Sequence, residues 1–306
     1  MIRTVTLNPA IDHFVRLEQF ELGHVNRAKA DLKVAGGKGI NISKALKNLG
    51  HTSVAHGLIG GFTGRFVQEQ LERDGIVTEF TAINADTRIN MKIQSNMETE
   101  INGVSPQITE NELNDLEKKL GLLQDGDSLV LAGSVPETMP SSIYERLLTR
   151  IDGKDVQVFV DTSGAALHSV IEKKPTFIKP NHYELAELFS TTISTKEEAI
   201  PYVKELLSKG IQFVLVSFAG DGALLGTDDA IYMANVPTGE VVNSVGAGDS
   251  VVAGFLTALS EGQQIEKVFA FAVASGSATA FSQGFCQREA VETLTKEVFI
   301  TKWGDE

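Results

Sequence analysis

The chain has one cysteine, Cys286, among its 306 residues. A lone thiol excludes an internal disulfide, so burial must hold the fold together, and a reducing, cytoplasmic setting is expected. Metal-ligand spacing is also missing. The six histidines contain no H-E-x-x-H pair at His51 and His56, and no cysteine cluster accompanies them. Positive charge is scarce: 27 Lys and Arg stand against 40 Asp and Glu, a formal charge of -13. A general nucleic-acid binder needs a basic footprint that this chain lacks. A few local cations can still hold a small phosphorylated ligand. No signal peptide is expected, because Asp12 and His13 interrupt the first apolar residues. The uncharged stretch 268–287 has the length of a membrane span, but Ser275, Gly276, Ser277, Thr279, Ser282, Gln283 and Gly284 make it too polar. It reads instead as a tightly packed internal helix. Repeats, low-complexity tracts and long linkers are absent from the sequence.

What is present is an ordinary 42% hydrophobic content and a regular alternation of β-rich and helical patterns. Strands are predicted over 2–7, 53–59, 128–132, 156–161, 176–179 and 213–217. Helices are predicted over 39–49, 64–74, 110–122, 141–151, 182–189 and 196–209, and after Asp249. Such alternation implies an α/β fold whose mainly parallel sheet is covered on both faces. Right-handed crossovers then bring the strand C-terminal ends, and any ligand, to one edge. Segments 14–17, 28–35 and 88–101 break the alternation and read as a small accessory sheet inserted in pieces. Segments 223–226 and 230–233 read as an antiparallel hairpin.

Two glycine-rich runs open helices. In Asn243-Ser244-Val245-Gly246-Ala247-Gly248-Asp249-Ser250, small residues expose the unpaired N–H groups of a helix start, which suit a phosphate. Asp249 beside a bound anion would be unfavourable unless it had a task, such as accepting a proton from a substrate hydroxyl. The plainer reading is a helix-start carboxylate stabilised by the dipole. In Ala35-Gly36-Gly37-Lys38-Gly39-Ile40-Asn41, a cation and an amide join the glycines. That run suits either a polar, hydroxyl-rich ligand or a tight turn with an exposed lysine. A Walker loop, a dinucleotide fingerprint after the first strand, protein-kinase signatures and a G-x-S-x-G elbow are all missing.

Together with Asn181-His182-Tyr183-Glu184, which has the form N-x-x-E, these runs resemble the signatures of the ribokinase-like, or PfkB, family of carbohydrate kinases over essentially the full chain. The resemblance implies a single three-layer α/β/α domain over 1–306. Its small β-sheet lid would be discontinuous, at approximately 12–35 and 87–103. It implies ATP and Mg²⁺ as cofactors. Asp249 would be the catalytic base, with Gly246, Ala247 and Gly248 as the anion hole. Asp12, Gly36, Gly37, Lys38 and Asn41 would bind the sugar, and Arg27, Arg88, Lys38 and Ser134 its phosphate. Ser217, Gly220 and Gly222 would serve the nucleotide, and Asn181 and Glu184 would organise Mg²⁺ through water. Flanking matches such as Thr4–Asp12 and Gly60–Gly64 are similar to the branch of the family that acts on D-fructose 1-phosphate to give D-fructose 1,6-bisphosphate. Tagatose 6-phosphate and fructose 6-phosphate remain alternative substrates. A non-catalytic sugar-phosphate sensor is the alternative of another class, and a homodimer through the lid is an expected assembly.

Overall fold

In the computed structural model residues 1–304 are described, so the last two residues of the expected domain, 305–306, lie outside them. In chain order the elements begin with β1 (Ile2–Thr6), β2 (Ala10–Arg16), β3 (Ala30–Gly36), α1 (Lys38–Asn48), β4 (Ser53–Gly60) and α2 (Gly61–Arg73). Then come β5 (Val77–Thr78), β6 (Thr81–Ile83), β7 (Arg88–Gln94), β8 (Thr99–Ile101), α3 (Glu110–Leu120), β9 (Ser128–Ala132) and α4 (Ile143–Leu148). The centre holds β10 (Gln157–Asp161), α5 (Gly164–Ile171), β11 (Phe177–Ile178), α6 (His182–Leu188), α7 (Lys196–Ser208) and β12 (Phe213–Ser217). The chain closes with β13 (Ala223–Gly226), β14 (Ile231–Ala234), α8 (Ala247–Ser260), α9 (Ile265–Ala280), α10 (Arg288–Leu294) and β15 (Ile300–Lys302).

Eleven strands form one sheet in the order β15-β14-β13-β12-β11-β10-β9-β1-β4-β5, with β6 also on β4. Pairing is parallel from β4 through β12 and antiparallel from β12 to β15. Strand residues alternate between two cores, as the pleat requires. Leu129, Leu131, Val158, Val160, Val214 and Val216 face α3 to α7. Val130, Phe159, Phe177 and Leu215 face α1, α8, α9 and α10. Helices therefore cover both faces, giving the three-layer, mainly parallel architecture implied by the alternation. Of the stretch 268–287 read as an internal helix, the part up to Ala280 is α9, which is buried along most of its length, and 281–287 lies beyond the helix. α9 packs on α8 because small residues allow close approach: a Cβ on Gly254 would lie 2.3 Å from Ser275 Oγ, and one on Gly276 2.7 Å from Val251. Among the described residues no helix is long and apolar enough to cross a membrane.

The interrupting segments form a separate four-stranded sheet, β3-β2-β7-β8. Ile11 and Ala35 of this sheet join a third core with Ile40, Ile59, Val67 and Leu71, anchoring it against α1 and α2. Several boundaries differ from the sequence reading. The run 176–179 shortens to two paired residues, so Lys179 lies beyond the strand. The run 141–151 is α4 followed by a 3-10 turn at Thr149–Ile151. The helix predicted after Asp249 starts at Ala247, which puts Asp249 inside its first turn. Helices α5 and α10, of 8 and 7 residues, lie outside the predicted helices; neither start has a side-chain cap, whereas the equally short α6 is marked by the Asn181–Glu184 capping box.

Candidate active site

β1 has β4 on one side and β9 on the other. The chain reverses its direction of sheet growth there, and an α/β sheet opens a crevice at such a point. A cavity of about 240 Å³ occupies it, lined by Thr6, Asn8, Lys38, Arg88, Gly133, Ser134, Thr162, Ser163 and Glu184. Thr6 ends β1 and Asn8 follows it, and Gly133 and Ser134 follow β9. The Gly133 carbonyl accepts from Tyr144 Oη at 3.0 Å and Thr162 Oγ1 at 2.9 Å, and its N–H donates to the Asp161 carbonyl at 3.0 Å. Ser134 is thus held at the rim by a corner whose backbone is satisfied.

Two helix N-termini converge beside this cavity. α1 starts after Gly37, whose φ of 123° favours glycine. Thr6 Oγ1 accepts the N–H of Ile40 at 3.0 Å, and a Cβ on Gly39 would lie 2.5 Å from that same oxygen. α8 starts after Gly246, which is left-handed at φ 81°. The Ala247 N–H already donates to the Ser244 carbonyl at 3.2 Å, whereas Gly246 and Gly248 N–H have no protein acceptor among the described residues. Asn41 Nδ2 of α1 donates to Asp249 Oδ2 of α8 at 2.8 Å across 208 positions of sequence. The two glycine-rich runs are therefore one site.

The electrostatics of Asp249 involve two residues that the sequence reading missed. Asp161 ends β10 and is 1% exposed; Lys179 follows β11 and is 5% exposed. Lys38 Nζ lies 3.0 Å and Lys179 Nζ 3.5 Å from Asp161 Oδ1, while Asp161 Oδ2 is buried without a partner. Burial pushes the Asp161 carboxyl up, but attraction to Lys179 and Lys38 outweighs it and holds the group below the usual carboxylate range. Attraction to Asp161 likewise raises the Lys38 ammonium against the effect of burial. Burial, and then repulsion from Asp161, push Asp249 up to about 6, against Lys38, Asn41 and Lys179. A Cβ on Gly248 would lie 3.4 Å from Lys179 Nζ, so this ammonium sits beside the first turn of α8. The sequence signal was present: a charged residue closes each apolar run, at Asp161 and at Lys179.

On the smaller sheet, Asp12 accepts from Asn90 Nδ2 at 2.9 Å, and Asn90 Oδ1 takes the Gly103 N–H at 3.1 Å. A Cβ on Gly36 would lie 2.1 Å from Asp12 Oδ2, so the glycine lets the carboxylate lie against the loop. Arg88 donates to the Asn8 carbonyl at 3.2 Å, and its Nε is buried without a partner. Desolvation lowers its pKa against the pull of Asp12. Arg27 stands apart: it is exposed in the 17–29 connection, does not line the cavity, and makes no hydrogen bond or ion pair among the described residues.

Asn181 caps α6. Its Oδ1 accepts the Glu184 N–H at 2.9 Å, and Glu184 Oε2 accepts the Asn181 N–H at 2.8 Å. This capping box uses Glu184 Oε2 and leaves Oε1 without a hydrogen bond among the described residues, and Glu184 lines the cavity. Asn181 also bridges to Ser217 at the end of β12. Gly220 and Gly222 follow in a 3-10 turn; Gly220 faces open space, and a Cβ on Gly222 would lie 2.0 Å from the Ala234 carbonyl. Ser217, Gly220 and Gly222 do not line the 240 Å³ cavity.

Residues 5–290 match the model of the pfkB family of carbohydrate kinases. A 1-phosphofructokinase of Bacillus subtilis (strain 168) is 47% identical over 302 residues, covering 99% of this chain and 100% of that protein. A 1-phosphofructokinase of Borreliella burgdorferi is 40% identical over 302 residues, covering 98% of each. The crystal structure of phosphofructokinase-2 from Escherichia coli in complex with substrates and products superposes with a TM-score of 0.91 at 25% identity, covering 97% of this chain and 98% of that one. With both signature runs closing on one buried carboxylate and the family pattern spanning nearly the whole sequence, the chain belongs to the pfkB family of carbohydrate kinases.

Proposed function

We propose that this protein transfers the γ-phosphate of ATP to D-fructose 1-phosphate, giving D-fructose 1,6-bisphosphate and ADP. The carrying observation is the 2.8 Å hydrogen bond from Asn41 to Asp249. It joins the Gly36–Asn41 loop and the start of α8 around one carboxylate, which supports reading the first as the sugar side and the second as the phosphate side. Full-length similarity to proteins named 1-phosphofructokinases supports the choice of sugar.

Asp249 Oδ1 has no protein partner among the described residues and would take the proton of the attacking hydroxyl. A base titrating near 6 is ionised at neutral pH yet basic enough to assist. Gly246 and Gly248 N–H, helped by the weakly held Ala247 N–H, would receive the charge on the transferred group, with Lys179 beside them. Asp12, Gly36, Gly37, Lys38 and Asn41 would orient the sugar hydroxyls. Arg88, Lys38 and Ser134 would hold the sugar's own phosphate across the cavity. Ser217, Gly220 and Gly222 would carry the nucleotide.

Among the described residues no group of three or more His, Cys, Asp or Glu is arranged to hold a metal. The free Glu184 oxygen and the Asn181 amide still suit Mg²⁺, which needs few protein ligands when waters and phosphate oxygens complete its shell. Bound there, Mg²⁺ would neutralise phosphate charge. The whole chain acts as one kinase domain, and the four-stranded sheet is its lid, excluding water when the sugar binds. Phe14 and Leu32 lie opposite one another on the lid face that also carries Asp12, and Leu32 is 60% exposed. A second copy covering this face would make a homodimer and could bring its Arg27 to the neighbouring phosphosugar.

The deciding assay is ADP release with fructose 1-phosphate, fructose 6-phosphate, tagatose 6-phosphate and unphosphorylated fructose. The highest kcat/KM is expected with the first. A clear preference for another sugar rejects the substrate assignment and leaves family membership standing.

A further inference from the structure

Ala35 is the penultimate residue of β3, an outer strand of the smaller sheet, and it precedes the Gly36-Gly37 corner into α1. An outer strand ordinarily offers its free N–H and carbonyl groups to water or to another strand. Here helices take both. The Ala35 N–H donates to Gln70 Oε1 of α2, and the Ala35 carbonyl accepts from Lys44 Nζ of α1 at 2.5 Å. The Lys44 ammonium also lies 5.8 Å from the centre of the Phe285 ring, within the range of a cation–π contact. Phe285 rests on Gly246, where a Cβ would lie 2.5 Å from the ring. Its carbonyl is tied to α1 by Asn48 Nδ2 at 3.3 Å. One unbroken chain of contacts therefore runs from the smaller sheet, through Lys44 and Phe285, to the start of α8.

We propose that Lys44 is a positioning residue that keeps the Asp12–Gly36 side of the site in register with the phosphate-binding start of α8. The proposal rests on the reading of those two regions as the halves of one active site. Lys44 would touch no substrate; it acts through Ala35 on one side and Phe285 on the other. The carboxylates facing it are Asp12 on β2 and Asp74 after α2, and burial, opposed by both, pushes its ammonium down to about 8. The strut is therefore charged at neutral pH and weakens in mild alkali.

Steady-state kinetics of the full-length protein with ATP and fructose 1-phosphate test this. Lys44→Met is expected to raise KM for the phosphosugar about tenfold or more, as loss of a charged hydrogen bond implies, while KM for ATP stays near the parental value. Lys44→Arg retains a cationic donor to the Ala35 carbonyl and is expected to recover most of the loss. Phe285→Leu is expected to lower kcat. The double variant should lose less than the product of the single losses, since both interrupt one chain of contacts. In the parent, KM for the phosphosugar should rise between about pH 7 and 9, and Lys44→Arg should flatten that rise. An unchanged KM in Lys44→Met, equal damage from Met and Arg, or fully multiplicative losses would overturn the proposal. Asp249→Asn, run in parallel, separates this failure from failure of the site itself: near-normal turnover in that variant rejects the active-site reading.

Discussion

Asp249, the proposed base, is costly to the fold at neutral pH because it is buried beside another carboxylate. Its carboxyl is raised from 3.8 to about 6, first by burial and then by Asp161. A raised folded-state value favours the protonated form. Its contribution to stability is fully present below pH 3.8 and is lost as pH rises through about 6. Asp249→Asn should therefore be more stable than the parent at pH 8, by on the order of 2 kcal/mol, and the advantage should vanish in acid. Thermal melts at several pH values check this. The same variant should lose about 10²–10⁴-fold in kcat with little change in KM, the range for removing a general base. In the parent, kcat/KM should fall as pH drops through about 6. Asp161→Asn removes a repelling charge and should move that limb to lower pH. It also frees Lys38 and Lys179 from their shared partner, so phosphosugar KM should rise; a pH profile and a KM series measure the two effects separately.

At the scale of elements, the site is made of strand ends and helix starts. α1 and α8 open on glycines because Gly37 and Gly246 have positive φ and the Thr6 and Phe285 side chains press against them, not because glycine favours helix. Gly36→Ala places a methyl 2.1 Å from Asp12 Oδ2, and β2 cannot move freely because Asn90 holds Asp12 from β7. The variant should keep its far-UV circular dichroism yet show phosphosugar KM raised by about tenfold or more, a loss comparable with one charged hydrogen bond. An unchanged KM would show that Asp12 does not contact the sugar. α6 combines two roles. Its Asn181–Glu184 capping box ends the helix ladder correctly, and the box leaves one carboxylate oxygen free on Glu184, which lines the cavity. Structural and ligand-binding readings of this motif are therefore compatible. The short helices α5 and α10 lack the capping box that marks α6, so no local start signal set them apart in the sequence.

At the scale of the molecule, the large sheet supplies rigidity and the small one supplies an unfinished surface. Both faces of the large sheet are buried under helices. The small sheet leaves Leu32, Ile89 and Ile101 at 60%, 40% and 53% exposure. Light scattering coupled to size exclusion should report a dimer in which the Leu32 face is covered. Leu32→Asp should shift it towards monomer and raise phosphosugar KM, and Arg27→Ala should raise the same KM without dissociating the pair. A monomeric parent with full activity would reject this assembly.

The alternation of strands and helices, the two glycine-rich runs and the N-x-x-E element were legible in the sequence because period, turn chemistry and caps are local properties. Asp249, Asn41 and Glu184 could be named from those runs. Asp161 and Lys179 could not be assigned, since each looks like the ordinary end of an apolar strand until β10 and β11 lie side by side. The isolation of Arg27, the Ala247 N–H already engaged by Ser244, and the Lys44–Phe285 strut were likewise decided by tertiary structure alone. The strut depends on distances between residues far apart in the chain, as does the 208-position bond between Asn41 and Asp249, whereas the Ala247–Ser244 bond depends on how the loop before α8 turns. The sequence determined which groups are candidates for the chemistry; the packing of the layers determined which of them meet and what charge each one feels.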